Sequence, residues 1–156
     1  MKYAGWQRVA PAMAMRMARV SMLADVVEER RALVPVPLAS ARLRERGFNQ
    51  SLVLAAALAH RWEIPVYPRA LVRDAYRRSQ TQLTPGERLG NVAGAFSVPD
   101  ESREAIANGH LVLVDDVVTT GATLRACADA LFAAGARTIS YMTFGRAPAS
   151  GDRVFP

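Results

Sequence analysis

Two adjacent carboxylates, Asp115 and Asp116, stand between an apolar run and a turn containing Thr119, Thr120, Gly121 and Thr123, in the stretch LVLVDDVVTTGAT from Leu111 to Thr123. Neighbouring carboxylates can accept hydrogen bonds from vicinal hydroxyls of the kind a ribose carries. Backbone N–H groups at a glycine-containing turn that opens a helix form a concave set of donors for a dianionic phosphate. The threonine hydroxyls add further donors. A phosphorylated pentose would satisfy both halves at once. The plainer alternative is that the acids end a strand and cap the next helix. Packing alone does not ask for two acids and three threonines around one glycine.

A second constellation is basic. Arg42, Arg44, Arg46 and Gly47 fall in RLRERGFNQS (Arg42–Ser51), which follows the apolar VPVPL after three small residues. Arginine forks match the oxygen geometry of a diphosphate, so this segment is a candidate pyrophosphate contact. Its alternative is a solvated basic loop followed by a helix cap. His60 and His110 are isolated and read as structural, and Trp6 and Trp62 read as core or partner contacts. No Ser-His or Cys-His arrangement suggests a covalent nucleophile.

The elements that must hold these residues follow from pattern. Ala4 to Leu23 reads as a helix, Leu33 to Leu38 as a strand running into a loop, and Ala39 to Gln50 as a basic loop. Asn49 or Ser51 then caps a helix through His60 whose body is LVLAAALA. Short strands are expected at Ile64 to Val66, Ala70 to Val72 and Ala95 to Val98. Asp74 to Leu83 is polar and without hydrophobic period. Thr84-Pro85-Gly86-Glu87 opens a helix carrying Arg88 and Asn91. Leu111 to Val114 has the continuous apolarity of a buried parallel strand, Ala122 to Ala134 reads as a helix closed by Gly135, and Thr138 to Phe144 as the next strand. Strand, helix and strand at this spacing make an α/β domain with a mostly parallel sheet. Its ligands are expected at the carboxyl ends of the strands.

With 156 residues, half of them apolar, the chain suits one globular domain spanning 1–156. The formal net charge is +6, carried by 19 arginines and the single lysine Lys2. A positive surface suits phosphate-rich ligands but does not by itself imply nucleic-acid binding. The sole cysteine, Cys127, excludes an internal disulfide or a cysteine-rich zinc site. It stands at helical spacing with Leu124, Leu131 and Phe132 as a small core residue, and a reducing cytoplasm is the expected compartment. The longest apolar run, Leu52 to Ala59, is too short to span a membrane. Neither a Walker phosphate loop nor a dinucleotide-binding glycine fingerprint is present. The VDD run is shared with phosphorelay receivers, but such a domain needs a later lysine, and Lys2 is the only lysine here.

The DDVVTTGAT segment resembles the signature with which type I phosphoribosyltransferases bind 5-phosphoribosyl-1-pyrophosphate (PRPP). RGFNQ after VPVP, RRSQTQLTPGERLGNVAGAF and the opening MKYAGW resemble, more narrowly, the ComF-type competence-protein branch of that superfamily. The resemblance implies the type I phosphoribosyltransferase fold, a central mostly parallel sheet flanked by helices. It implies transfer of a 5-phosphoribosyl group from PRPP to a nitrogenous base with release of pyrophosphate. Asp115 and Asp116 would hold the ribose diol, and Val118, Thr119, Thr120, Gly121, Ala122 and Thr123 the 5′-phosphate. Arg42, Arg46 and Gly47 would meet the pyrophosphate, joined by Arg77 and Arg78 when the loop Tyr76 to Leu83 closes. Arg88 and Asn91 would brace that loop. Mg2+ would be carried mainly by PRPP oxygens and water.

ComF-type chains carry a cysteine-rich zinc module ahead of the MKYAGW-like position. These 156 residues contain none, so either the start is truncated or this branch has lost the module, and a reduced N-terminal hood over the base is expected. The same resemblance implies an alternative: a non-catalytic PRPP or nucleotide sensor acting with DNA-uptake machinery or in DNA processing. A homodimer is compatible with either. A third reading, direct DNA binding by the arginine surface, would show steep salt dependence.

Overall fold

A computed structural model of the protein describes residues 4–73 and 94–147. Along it run α1 (Ala4–Met17), α2 (Ala24–Glu29), β1 (Arg30–Pro35), α3 (Ser40–Arg46), α4 (Gln50–Trp62), β2 (Val72–Arg73) and β3 (Phe96–Ser97). A 3-10 turn (Asp100–Ser102), α5 (Arg103–Ile106), β4 (His110–Val118), α6 (Ala122–Ala133) and β5 (Thr138–Arg146) complete it.

The apolar run of β4 becomes the middle of a parallel sheet, β1-β4-β5, with Leu33 opposite Val112 and Leu113 opposite Tyr141. Val66 extends the sheet on the far side of β1 by a parallel bridge to Leu33. Because side chains alternate along a strand, β4 needs apolar cover on both faces. Leu111 and Leu113 join Leu124, Cys127 and Leu131 of α6 in one cluster. Val112 and Val114 join Leu54 and Leu58 of α4 and the Ala10, Ala14, Met17 stripe of α1 in the other. Leu33, Leu54, Leu58, Leu111, Leu113 and Leu131 are fully buried, and each contributes about 1.5–3 kcal/mol by leaving water. β2 and β3 form a separate antiparallel pair.

The structure changes several boundaries. The first helix stops at Met17, where Val20 N–H donates to the Met17 carbonyl in a tight turn. The short α2 follows, and its charged continuation Arg30-Arg31 conceals the start of β1. Ala39 to Gln50, expected as a loop, contains α3. Its Ala, Leu, Arg and Glu residues are good helix formers, and Gly47 closes it in the left-handed region at φ 79°. β4 runs four residues past the expected Val114 to Val118, because Asp115 still pairs with Thr143 and Val117 with Gly145. The short-strand expectations narrow to the Val66 bridge, Val72–Arg73 and Phe96–Ser97. The α6 end is as expected: Ala136 N–H reaches back to the Leu131 carbonyl around Gly135 at φ 96°. The expected polar loop and the helix opening at Thr84 lie outside the described residues.

Candidate functional site

The carboxyl ends of β1 and β4 lie side by side, joined where Val36 N–H donates to the Val114 carbonyl at 3.0 Å. From the first the chain leaves into α3 with its arginines, and from the second it passes through Asp115 and Asp116. Arg42 is exposed on α3, Arg46 is half-buried, and Gly47 is exposed at its end. Among the described residues no acid pairs with Arg42, Arg44 or Arg46. Three arginines thus follow β1 at the same carboxyl end of the sheet where β4 carries the two carboxylates.

Asp115 is the more constrained acid. Its Oδ1 accepts from Ser51 Oγ at 2.8 Å and from its neighbour's backbone, Asp116 N, at 2.9 Å. Burial pushes its carboxyl up to about 6, with the Asp116 charge acting in the same direction and the Ser51 hydrogen bond opposing it. Asp116 Oδ1 accepts from Val117 N at 2.8 Å. Because β4 continues through both acids, consecutive side chains project to opposite sides of the strand, and the pair is not two equivalent ligands.

After Val118 the backbone bends through Thr119 and Thr120 to Gly121, which sits in the left-handed region at φ 78°, and α6 begins at Ala122. The first intrahelical hydrogen bond runs from Arg125 N to the Gly121 carbonyl, so the preceding first-turn amides have no partner within the helix. Thr120 Oγ1 accepts a long hydrogen bond from Ala122 N at 3.4 Å. Thr119 and Thr120 are exposed, and Thr123 is half-buried. The turn walls one end of a cavity of about 760 Å3 that continues between α6 and β5 past Arg125, Phe132, Tyr141 and Arg146. Asp115 and Asp116 are not among its lining residues.

The sequence and this geometry meet in one comparison. Residues 49–154 match the family model of the phosphoribosyl transferase domain. The chain belongs to the phosphoribosyltransferase family. Within it, the chain is 33% identical to competence protein F of Haemophilus influenzae, over 74% of this chain and 50% of that protein. It is 38% identical to the DNA utilization protein YhgH of Salmonella typhi, over 69% of this chain and 45% of the relative. It is 35% identical to competence protein ComFC of Bacillus subtilis, over 73% and 44%. The chain thus spans about half the length of the curated relatives it matches.

Among solved structures, the glutamine PRPP amidotransferase of B. subtilis complexed with ADP and GMP superposes with a TM-score of 0.60 at 21% identity. That superposition covers 88% of this chain and 26% of the other. An allosteric regulatory enzyme of purine biosynthesis gives 0.55 at 20% identity, over 89% and 25%. At such identities the likeness is one of fold, and it agrees with the α/β, parallel-sheet architecture.

Of the residues singled out in the sequence, Asp115, Asp116 and the Val118–Thr123 turn are brought together along the end of β4, and Arg42, Arg46 and Gly47 follow the neighbouring strand. Arg77, Arg78, Arg88 and Asn91 lie outside the described residues. Cys127 is fully buried as expected, whereas Phe132, at the same helical spacing, is half exposed on the cavity side. His110 is buried with Nε2 2.8 Å from Ser140 Oγ, at the end of β4 opposite Asp115. Trp6 and Trp62 pack against the α1–α4 cluster, and the Arg30 guanidinium stacks over Trp62 at 4.3 Å.

Ser51 was read as a possible cap but is held as a partner of Asp115. The sequence marks Gln50 and Ser51 only as polar residues at the head of an apolar helix; that both are buried, at 4% exposed, is visible only in the fold. Arg125 and Arg146 gave no sequence signal, because single arginines are indistinguishable among so many. Among the described residues no three of His, Cys, Asp or Glu gather as a metal cage, and no helix is long and apolar enough to cross a membrane.

Proposed function

We propose that this protein binds PRPP and transfers its 5-phosphoribosyl group to a nitrogenous base, releasing pyrophosphate. The observation that carries the reading is the partly buried carboxylate of Asp115, anchored at the end of β4 and followed four residues later by the open Thr119–Gly121 turn. A ribose lying along this edge has carboxylates for its diol and helix-start amides for its 5′-phosphate. The diphosphate would then lie toward Arg42 and Arg46, with Arg77 and Arg78 as further contacts.

In the reaction the bond from the anomeric carbon to the pyrophosphate oxygen breaks and a bond to the base nitrogen forms. The nitrogen's proton leaves and pyrophosphate carries away the bonding pair. Positive charge develops on the sugar and negative charge on the leaving group. Asp115 and Asp116 favour the first, the arginines the second. Mg2+ would arrive hydrated with the diphosphate, held mainly by PRPP oxygens and water. When bound, Mg2+ would supply additional neutralisation of the leaving pyrophosphate. A cytoplasmic location accords with this substrate.

A second reading has its own support, because the curated relatives are named as competence and DNA utilization proteins. In it the same site senses PRPP or a nucleotide without turnover, as one component of DNA uptake. Pyrophosphate release from Mg-PRPP against a panel of bases separates the two. Turnover abolished by Asp116→Asn supports the transferase; tight PRPP binding with no turnover against any base supports the sensor. A protein that binds no PRPP at all contradicts both.

A further inference from the structure

We propose that Ser51 is a positioning residue that fixes the Asp115 carboxylate for the ribose diol and ties it to the basic segment after β1. The proposal rests on the PRPP reading above and adds a residue to that site. Ser51 lies in the first turn of α4, 4% exposed, and helix capping does not require its hydroxyl. The cap is Asn49, whose Oδ1 accepts from Ser51 N at 3.1 Å. The hydroxyl instead donates to Asp115 Oδ1 at 2.8 Å, 64 residues along the chain.

Asp116 N lands on the same oxygen at 2.9 Å. Both protein donors to Asp115 among the described residues thus fall on Oδ1, which fixes the carboxylate plane and leaves Oδ2 to a ligand hydroxyl.

The contact closes a ring. Asn49 Nδ2 donates to the Val36 carbonyl at 3.0 Å, and Val36 N donates to the Val114 carbonyl at 3.0 Å, one residue before Asp115. Four hydrogen bonds and the intervening backbone therefore join the ends of β1 and β4 to the head of α4. The route to the arginines of α3 starts at Val36, so the diol ligand and the diphosphate segment share one frame. A substrate bearing both groups needs that registration, because reacting partners must be held within a few tenths of an ångström.

The hydrogen bond also acts on charge. Asp115 is desolvated and feels the negative charge of its neighbour Asp116, although that side chain projects to the other side of the strand, while the Cys127 thiol on α6 is neutral in this setting. A hydroxyl donated to the ionised form is the contact from α4 that opposes those influences. Replacing Ser51 by Ala removes it and leaves the cap intact.

The test is calorimetric titration of wild-type, Ser51→Ala, Ser51→Cys and Ser51→Thr proteins with ribose 5-phosphate and, separately, with Mg-pyrophosphate. Ribose 5-phosphate has the diol and the phosphate; pyrophosphate lacks the diol and reports on the phosphate contacts. We expect Ser51→Ala and the near-isosteric Ser51→Cys to weaken ribose 5-phosphate about tenfold, as for loss of a hydrogen bond to a charged group. Mg-pyrophosphate affinity should change less than about twofold, and Ser51→Thr, which keeps the hydroxyl, should restore ribose 5-phosphate binding. The pH midpoint of ribose 5-phosphate affinity should move upward in Ser51→Ala. If Ser51→Ala fails to fold, Ser51→Cys carries the same comparison. A wild type that binds ribose 5-phosphate with both variants undiminished overturns the role of Ser51 alone. Equal losses for both ligands, unrestored by Thr, overturn it too. A wild type that binds neither ligand overturns the PRPP reading itself.

Discussion

Val36 N–H donates to the Val114 carbonyl at 3.0 Å, and this bond places the two chemically distinct halves of the site next to each other. Beyond Val36 the chain carries arginines toward solvent; beyond Val114 it carries two acids. Among the described residues Asp115 is held by a serine hydroxyl and a backbone amide rather than by an arginine. No ion pair joins these arginines to these acids among the described residues, an arrangement useful for a ligand that carries both hydroxyls and phosphates.

Asp115→Asn should therefore separate stability from binding. Burial holds the Asp115 carboxyl at about 6, above its ordinary 3.8. The folded state thus keeps this proton more tightly than the unfolded state, and the stabilisation is fully present below 3.8 and lost as pH rises through about 6. Asparagine keeps the acceptor for Ser51 and never ionises. We expect the variant to melt higher than wild type above pH 6, with the difference vanishing below about pH 4, in thermal unfolding across that range. A variant that melts lower at pH 7.5 would contradict this.

Gly121→Ala tests the turn. Gly121 has φ 78°, and an added Cβ would meet nothing within 4 Å. The penalty is therefore backbone strain rather than collision, about 1–2 kcal/mol. Urea titration should show that loss in stability. Phosphate-dependent binding should fall further than stability does, because the bend that exposes the first-turn amides is what glycine permits. Unchanged affinity for ribose 5-phosphate would separate the turn from the ligand.

Cys127 should be chemically silent. It is fully buried, and its thiol is pushed up to about 12, by burial first and then by the nearby Asp115 charge. A thiol-specific chromogenic reagent should leave the native protein unmodified at pH 8 and react with one thiol per chain in denaturant. Rapid native labelling would mean that α6 opens from the sheet.

Much of this was legible in the sequence, for physical reasons that differ by element. LVLV before the acids reads as a doubly covered strand, and Asn49 or Ser51 before an apolar helix as its cap, a choice the structure settles on Asn49. Both are local signals, and β4 and α4 follow from them. α3 was not legible because its arginines advertise charge more loudly than helix propensity. The length of β4 was not legible because its last residues are held by pairing to β5, a partner 28 residues away in register, Asp115 with Thr143. Within the site, residue types pointed to Asp115, Asp116 and the threonine turn, and spacing alone delimited them. Ser51 required the fold, because nothing in a linear chain says that a hydroxyl in one helix meets an acid in a distant strand. The unequal standing of the two acids had the same origin: in sequence they are twins, and on a strand they alternate.

The grip on a phosphorylated pentose is tested most directly by calorimetric titration of Mg-PRPP into wild-type and Asp115→Asn proteins at pH 7.5, with folding of both verified by thermal unfolding. We expect saturable one-to-one binding to the wild type and a loss of at least about tenfold in the variant, since a charged acceptor for the diol is gone. No heat with the wild type, or equal affinity in the two folded proteins, would contradict it.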